Sequence, residues 1–213
     1  MESVKRLRSR SFLSPFCRSI VVLFIATVVQ SALVRSESIL GLPIGNFGRI
    51  NENYYRGAQP DRAGFDALKR LGVKTIIDLQ KDAKREEPNW VREAGLTYFN
   101  IPLSSKSPAT AAQTDYFLKL VTDPRNWPVY VHCAGGRHRT GEMTAIYRIT
   151  HDSWTADRAY REMKDYKYYS FGGHGSLRKY VYDYYEGFKR LLAVGPGESK
   201  LKLASLSAGA NGN

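Results

Sequence analysis

Short β-branched apolar runs alternate along the chain with longer stretches whose apolar positions recur at helical spacing. Residues 73–79 (VKTIIDL) form a continuous apolar run of the kind that fills a strand buried on both faces. Residues 97–101 (TYFNI) and 128–132 (PVYVH) read as strands in the same way. Two shorter strands, 47–50 and 54–57, flank the turn residues Asn51-Glu52-Asn53. Helices are predicted between these runs. Pro60-Asp61 opens one whose Phe65, Leu68 and Leu71 share a face and which Gly72 ends. Glu86-Glu87-Pro88 starts another, with Trp90, Val91 and Ala94 behind it and Gly95 after it. Further helical stretches fall at about 110–121, 139–151, 154–167 and 175–192. The last carries Leu177, Val181, Tyr184, Phe188 and Leu191 along one stripe. This alternation predicts an α/β fold with a mainly parallel central sheet flanked by helices. Ligands of such sheets bind beyond the carboxyl ends of the strands.

The two ends do not share this pattern. Residues 1–36 carry Lys5, Arg6, Arg8, Arg10 and Arg18, then the apolar run 20–29 (IVVLFIATVV), then small and polar residues. A basic leader with a short apolar segment reads as a secretory signal, or as an uncleaved signal anchor. Both place the folded part outside the cytoplasm, exported or tethered to a membrane through that segment. Residues 193–213 are rich in Gly, Ser and Ala and are expected to be a disordered tail. The working domain is therefore expected at 40–192. Beyond the leader there are 26 basic and 19 acidic residues, a charge near +7, which favours anionic partners. Only Cys17 and Cys133 are available as thiols, so no disulfide framework is expected.

The chemistry concentrates at 131–141, Val-His-Cys-Ala-Gly-Gly-Arg-His-Arg-Thr-Gly, where a strand passes into a helix. Cys133 ends the strand, and Arg139 stands six residues later at the predicted helix start. Gly135 and Gly136 let the intervening loop curl so that its N–H groups converge. Such a nest beside a helix N-terminus binds anions, and the same dipoles favour a thiolate. The Arg139 guanidinium offers a planar fork matched to two phosphate oxygens. The assembly is a sulfur nucleophile inside a phosphate cradle, suited to phosphoryl transfer to Cys133 and hydrolysis of the product.

This H-C-x5-R-T-G string resembles the cysteine-dependent protein tyrosine and dual-specificity phosphatases, and the surrounding pattern is similar from about residue 45 to 190. The form with Arg137-His138 ahead of Arg139 is similar to the atypical plant and fungal enzymes acting on inositol pyrophosphates, and to bacterial relatives. The resemblance implies Cys133 as nucleophile and Arg139 as the arginine that binds phosphate and the transition state. It implies His132 as support of the loop and the ionised thiol, and Thr140 as the hydroxyl bonded to sulfur. The backbone of Ala134, Gly135, Gly136, Arg137 and His138 is implied as the cradle. It implies no cofactor and no metal. The partners implied are a phosphorylated protein or a small anionic phosphate ester, with no nucleic acid. An inositol-phosphate, pyrophosphate or lipid-phosphate phosphatase is the alternative, and a phosphate-binding module without turnover is the further one.

One departure matters. Most of the family carries an aspartate general acid on the loop after the strand equivalent to 97–101. Here that loop, Ile101 to Pro108, contains no acid. The nearest downstream is Asp115, the candidate general acid, inside a predicted helix where a solvated carboxylate is the simpler reading. Glu86 and Glu87 follow the preceding strand and could reach the same mouth, with helix N-terminal charge as the simpler reading. Asp78 lies within a strand and reads as structural. Loss of the acid costs substrates with poor leaving groups most, because protonating the departing oxygen contributes about 10²–10⁴-fold.

Overall fold

The computed structural model describes residues 42–193. The leader at 1–36 and the tail beyond Ala193 lie outside the described residues. Five strands form one sheet: β1 (Gly48–Asn51), β2 (Tyr54–Ala58), β3 (Thr75–Gln80), β4 (Thr97–Leu103) and β5 (Val129–Cys133). Their order is β1-β2-β5-β3-β4. β1 and β2 form an antiparallel hairpin, and every other pairing is parallel. The central strands β3 and β5 are buried throughout, which is why they read as unbroken apolar runs. β4 lies at the edge and is partly exposed along its first half.

The described residues form six α-helices: α1 (Arg62–Arg70), α2 (Glu87–Glu93), α3 (Ala111–Thr122), α4 (Arg139–His151), α5 (Ala156–Asp165) and α6 (Gly175–Ala193). Local chemistry sets their starts. Asp61 accepts the Gly64 N–H at 2.8 Å ahead of α1. Thr110 and Gln113 close a reciprocal capping box on α3. Thr155 caps α5 through the Arg158 N–H. In α4, His138 stands at the cap position and makes no side-chain cap bond, as is also true of Glu86 ahead of α2. The first amides of α4 are therefore not taken by a capping side chain.

Side-chain alternation along β5 divides two layers. Val129, Val131 and Cys133 point into a cluster with Ile77, Leu79, Ile101, Leu103, Phe117, Met143 and Tyr147. Tyr130 and His132 turn to the opposite face, where Tyr130 stacks between Phe47 and His132. α4 is almost wholly buried, and its far side packs Ala145 and Ile149 against Ala159, Met163, Leu177 and Val181 of α5 and α6. Each fully buried aliphatic side chain of these layers contributes about 1.5–3 kcal/mol. The α4 helix that positions the signature arginine is thus held from two sides.

Glu142 is an exception in this apolar setting. It is fully buried in the first turn of α4. One oxygen accepts the Ala109 N–H at 3.0 Å, and the other has no partner. Burial pushes its pKa up to about 8 against that hydrogen bond, so the carboxyl keeps its proton at neutral pH. The unfolded chain releases that proton in the ordinary carboxylate range. This contribution to stability is complete at low pH and is lost as pH rises to about 8. Denaturant midpoints measured from pH 5 to 8 are expected to fall with rising pH, at most by about 1.4 kcal/mol per pH unit from this group. Glu142→Gln is expected to flatten that dependence.

Candidate active site

β5 delivers Cys133 to the carboxyl edge of the sheet, and residues 134–138 form the turn into α4. The turn depends on Gly136. Its φ is +63°, and a Cβ there would stand 2.4–2.7 Å from the backbone of Gly57 and Ala58. Only glycine meets both conditions. The Gly136 carbonyl is held outward by two donors from the β1–β2 region. Asn46 Nδ2 donates to it at 2.8 Å, and the buried Arg56 Nη2 donates to it as well. Asn46 also donates to the Tyr166 carbonyl at 2.9 Å. The Gln59 amide holds the Ala134 carbonyl at 3.3 Å. With these carbonyls turned away, the amide N–H groups of the loop are left to face the interior of the turn.

Cys133 lies at the bottom, 3% exposed. Burial alone would raise its pKa. The Thr140 hydroxyl and amide, the Arg139 charge and the Arg137 amide outweigh it and hold the thiol below its ordinary value. Thr140 Oγ1 is buried beside the sulfur, and no acceptor meets it with full hydrogen-bond geometry. Arg139 is also nearly buried, and its Nε has no partner. Its Nη1 donates to Asp82 Oδ1 at 2.8 Å. Asp82 stands on the loop after β3 with its side chain 77% exposed. The guanidinium holds the Asp82 carboxyl below its usual range.

His132 lies behind the cysteine on the other face of the sheet. Its Nε2 is 2.8 Å from Glu87 Oε1 and its Nδ1 is 3.9 Å from Asp78 Oδ1, all three side chains being fully buried. Burial opposes a charged imidazole, but Glu87 and then Asp78 outweigh it, and the His132 pKa is raised. Gln59 Nε2 donates to Glu87, while Tyr98 Oη and the Gln80 amide donate to Asp78. These three acidic and imidazole groups lie close enough to surround a cation. Tyr98 and the Gln80 amide take up Asp78, whereas Gln59 takes up only Oε2 of Glu87; Oε1 has no aligned donor and faces His132 as a buried ion pair. Glu87, expected as helix N-terminal charge, is therefore the anionic partner of the histidine behind Cys133.

The other expected residues are placed as follows. Ala134 and Arg137 are exposed, and Gly135 is half-buried. His138 stacks on His174 at 3.7 Å, with Tyr168 and Tyr169 edge-on. Burial, then the neighbouring His174 and arginines, lower its pKa to about 4, so it is neutral near pH 7. His174 bonds through Nδ1 to the Ser105 carbonyl at 2.6 Å and ties the loop after β4 to the start of α6. Asp115 is exposed on α3, and its charge bears on Tyr180 and Tyr184 of α6. It makes no hydrogen bond to Cys133, Arg139 or the turn between them among the described residues. The carboxylate that does meet Arg139 is Asp82, which the motif does not reveal. The available signal is its place: an acid just beyond the carboxyl end of the strand beside β5.

Two outcomes follow from this geometry. Gly136→Ala is expected to cost about 1–3 kcal/mol or more, from the left-handed backbone and the blocked approach to Gly57. It is expected to abolish inorganic phosphate binding, as measured by melting and titration calorimetry. Thr140→Val removes the strongest group lowering the Cys133 pKa. The pH midpoint of iodoacetamide alkylation at Cys133 is expected to rise toward that of an ordinary thiol.

Residues 48–177 match the model of a family described as DSP-PTPase phosphatase fused to NAD+ kinase. The dual specificity protein phosphatase TpbA of Pseudomonas aeruginosa is 30% identical over 136 residues, 64% of this chain and 60% of that protein. Inositol diphosphatase DSP3 of Arabidopsis thaliana is 32% identical over 117 residues, 53% of this chain and 57% of that protein. The aligned segment thus spans about 60% of the length of these curated relatives. Among solved structures, the core catalytic domain of the PP-IP phosphatase SIW14 from Saccharomyces cerevisiae superposes with a TM-score of 0.60. It is 22% identical and covers 71% of this chain and 93% of that one, a likeness of fold. The P. aeruginosa TpbA structure superposes with a TM-score of 0.56 at 28% identity, covering 64% and 83%. Matched over residues 48–177, with the Cys133–Arg139 turn inside the match, the chain belongs to this DSP-PTPase family of phosphatases.

Proposed function

We propose that the protein is a cysteine-dependent phosphatase that cleaves phosphomonoesters, phosphotyrosine among them, through a cysteinyl-phosphate. One observation carries the reading: the buried Cys133 sulfur, held below its ordinary pKa, shares one turn with the Arg139 guanidinium and a set of inward amides. A phosphate seated on those amides places its phosphorus within reach of the sulfur. The Arg139 fork and the open α4 N-terminus then meet the charge that develops on the non-bridging oxygens. The thiolate attacks phosphorus, the ester oxygen leaves, and water hydrolyses the cysteinyl-phosphate. His132, paired with Glu87, supports the loop from behind. TpbA, a relative of this chain, has been solved in complex with pTyr.

A second substrate class is favoured by the rim. Lys81, Lys84, Arg85, Lys106 and Arg137 are exposed on the loops after β3, β4 and β5. A substrate with several phosphates would meet more of these cations than a phosphotyrosine does. Relatives named inositol diphosphatases, in Arabidopsis thaliana and Saccharomyces cerevisiae, make this class concrete. The composition of residues 1–36 supports action outside the cytoplasm, on a domain that is secreted or anchored.

The test is phosphate release by the purified protein from a phosphotyrosine peptide, a phosphoserine peptide, an inositol polyphosphate and an inositol pyrophosphate. Cys133→Ser is expected to lower turnover by more than about 10³-fold on every substrate cleaved, while still binding phosphate esters. Acid-quenched wild-type protein is expected to carry phosphate on Cys133 by mass spectrometry. Undiminished turnover by Cys133→Ser would overturn the assignment. Esters that bind without any turnover would leave a phosphate-binding module.

A further inference from the structure

The other carboxylates that pack around the phosphate cradle are fully buried, away from the solvent side on which a leaving group departs. Glu87 is buried against His132, Asp78 takes bonds from Tyr98 and Gln80, and Glu142 is buried against Ala109. The loop after β4 carries no acid. Asp82 alone among the described acids touches the signature arginine, and it does so from the solvent side. Cys133 is at the closed end of the site, 3% exposed, and Asp82 is at the open end, with its side chain 77% exposed. In-line displacement puts the departing oxygen on the face of phosphorus opposite the sulfur. That face is the one Asp82 borders.

We propose that Asp82 is the general acid of this phosphatase, doing from the β3 loop what the loop after β4 cannot. The inference rests on the function proposed above. Without substrate, the Asp82 carboxylate occupies Nη1 of Arg139. An incoming phosphate takes both arms of the guanidinium and releases the carboxylate. Asp82 then loses its cation and gains a dianion as neighbour, and both changes favour taking up a proton from solvent. In the first step the Cys133 sulfur forms a bond to phosphorus and the bond from phosphorus to the ester oxygen breaks. That oxygen receives the electron pair and the Asp82 proton, and leaves as a neutral alcohol or phenol. In the second step a water oxygen attacks the phosphorus and gives its proton to the Asp82 carboxylate. The phosphorus–sulfur bond breaks, and its electrons return to Cys133 as the thiolate opposite Thr140.

The experiment compares the full-length protein with Asp82→Asn and Asp82→Glu. The substrates are phosphate monoesters of graded leaving groups, from nitrophenyl through phenyl to alkyl, and phosphoenzyme formation is followed by rapid acid quench. Asp82→Asn is expected to lose about 10²-fold or more in phosphoenzyme formation from phenyl and alkyl phosphates. The loss is expected to shrink steadily as the leaving group becomes more acidic, so that the dependence on leaving group steepens. Asp82→Glu, which keeps a carboxyl, is expected to restore most of the wild-type slope. A change by one constant factor across the series would make Asp82 a partner of Arg139 only and would overturn the proposal, as would no change at all. A wild-type protein that forms no phosphoenzyme would overturn the function proposed above instead. Because Asp82 is exposed, both variants are expected to melt like the wild type.

Discussion

Everything at the candidate site depends on how one carbonyl is turned. The Gly136 oxygen points away from the sulfur because Asn46 and Arg56 hold it there. Peptide planes have two polar ends, so fixing the oxygens outward leaves the N–H groups facing inward. Those N–H groups make a buried thiolate and a seated phosphate affordable in the same few ångströms. The donor Arg56 is itself fully buried in β2, lies over the Tyr166 ring at 4.0 Å, and has two nitrogens without partners. A cation kept under such conditions adds positive potential beneath the cradle, and Cys133 is among the groups whose charge it senses.

The site is also layered by charge. Behind Cys133, His132 and Glu87 form a pair that is fully buried. In front of it, Arg139 meets Asp82, which is open to solvent. The first pair is permanent furniture of the sheet, since neither member can leave without stranding the other. The second is an exchangeable contact, because solvent screening weakens it and a better anion can replace it. A phosphate therefore competes only with the outer pair.

Much of this was legible in the sequence. The helix and strand pattern placed the elements within a few residues, because buried strands and amphipathic helices leave distinct periodicities. Cys133, Arg139 and Thr140 were legible because the turn from strand to helix is local and its residues are consecutive. What stayed hidden joins distant segments. Asp82 sits in the run Lys81-Asp82-Ala83-Lys84-Arg85, which looks like any solvated loop, and its partner is 57 positions away. Glu87 looked like ordinary charge at a helix start, and only the packing of α2 on the sheet turns it inward to His132. Arg56 lies in a short strand where nothing local marks a buried cation.

The single amide of Asn46 reaches Gly136 across 90 positions and Tyr166 across 120. It ties the first described residues, the middle of the chain and the α5–α6 connection to one nitrogen. Contacts so distant in sequence form late, after the loops between them have closed. A chain emerging from its N-terminus has Cys133 and Arg139 in hand well before Tyr166 exists to complete this tie. A chain truncated before Tyr166 thus keeps Cys133 and Arg139 but lacks one of the acceptors that fix Asn46.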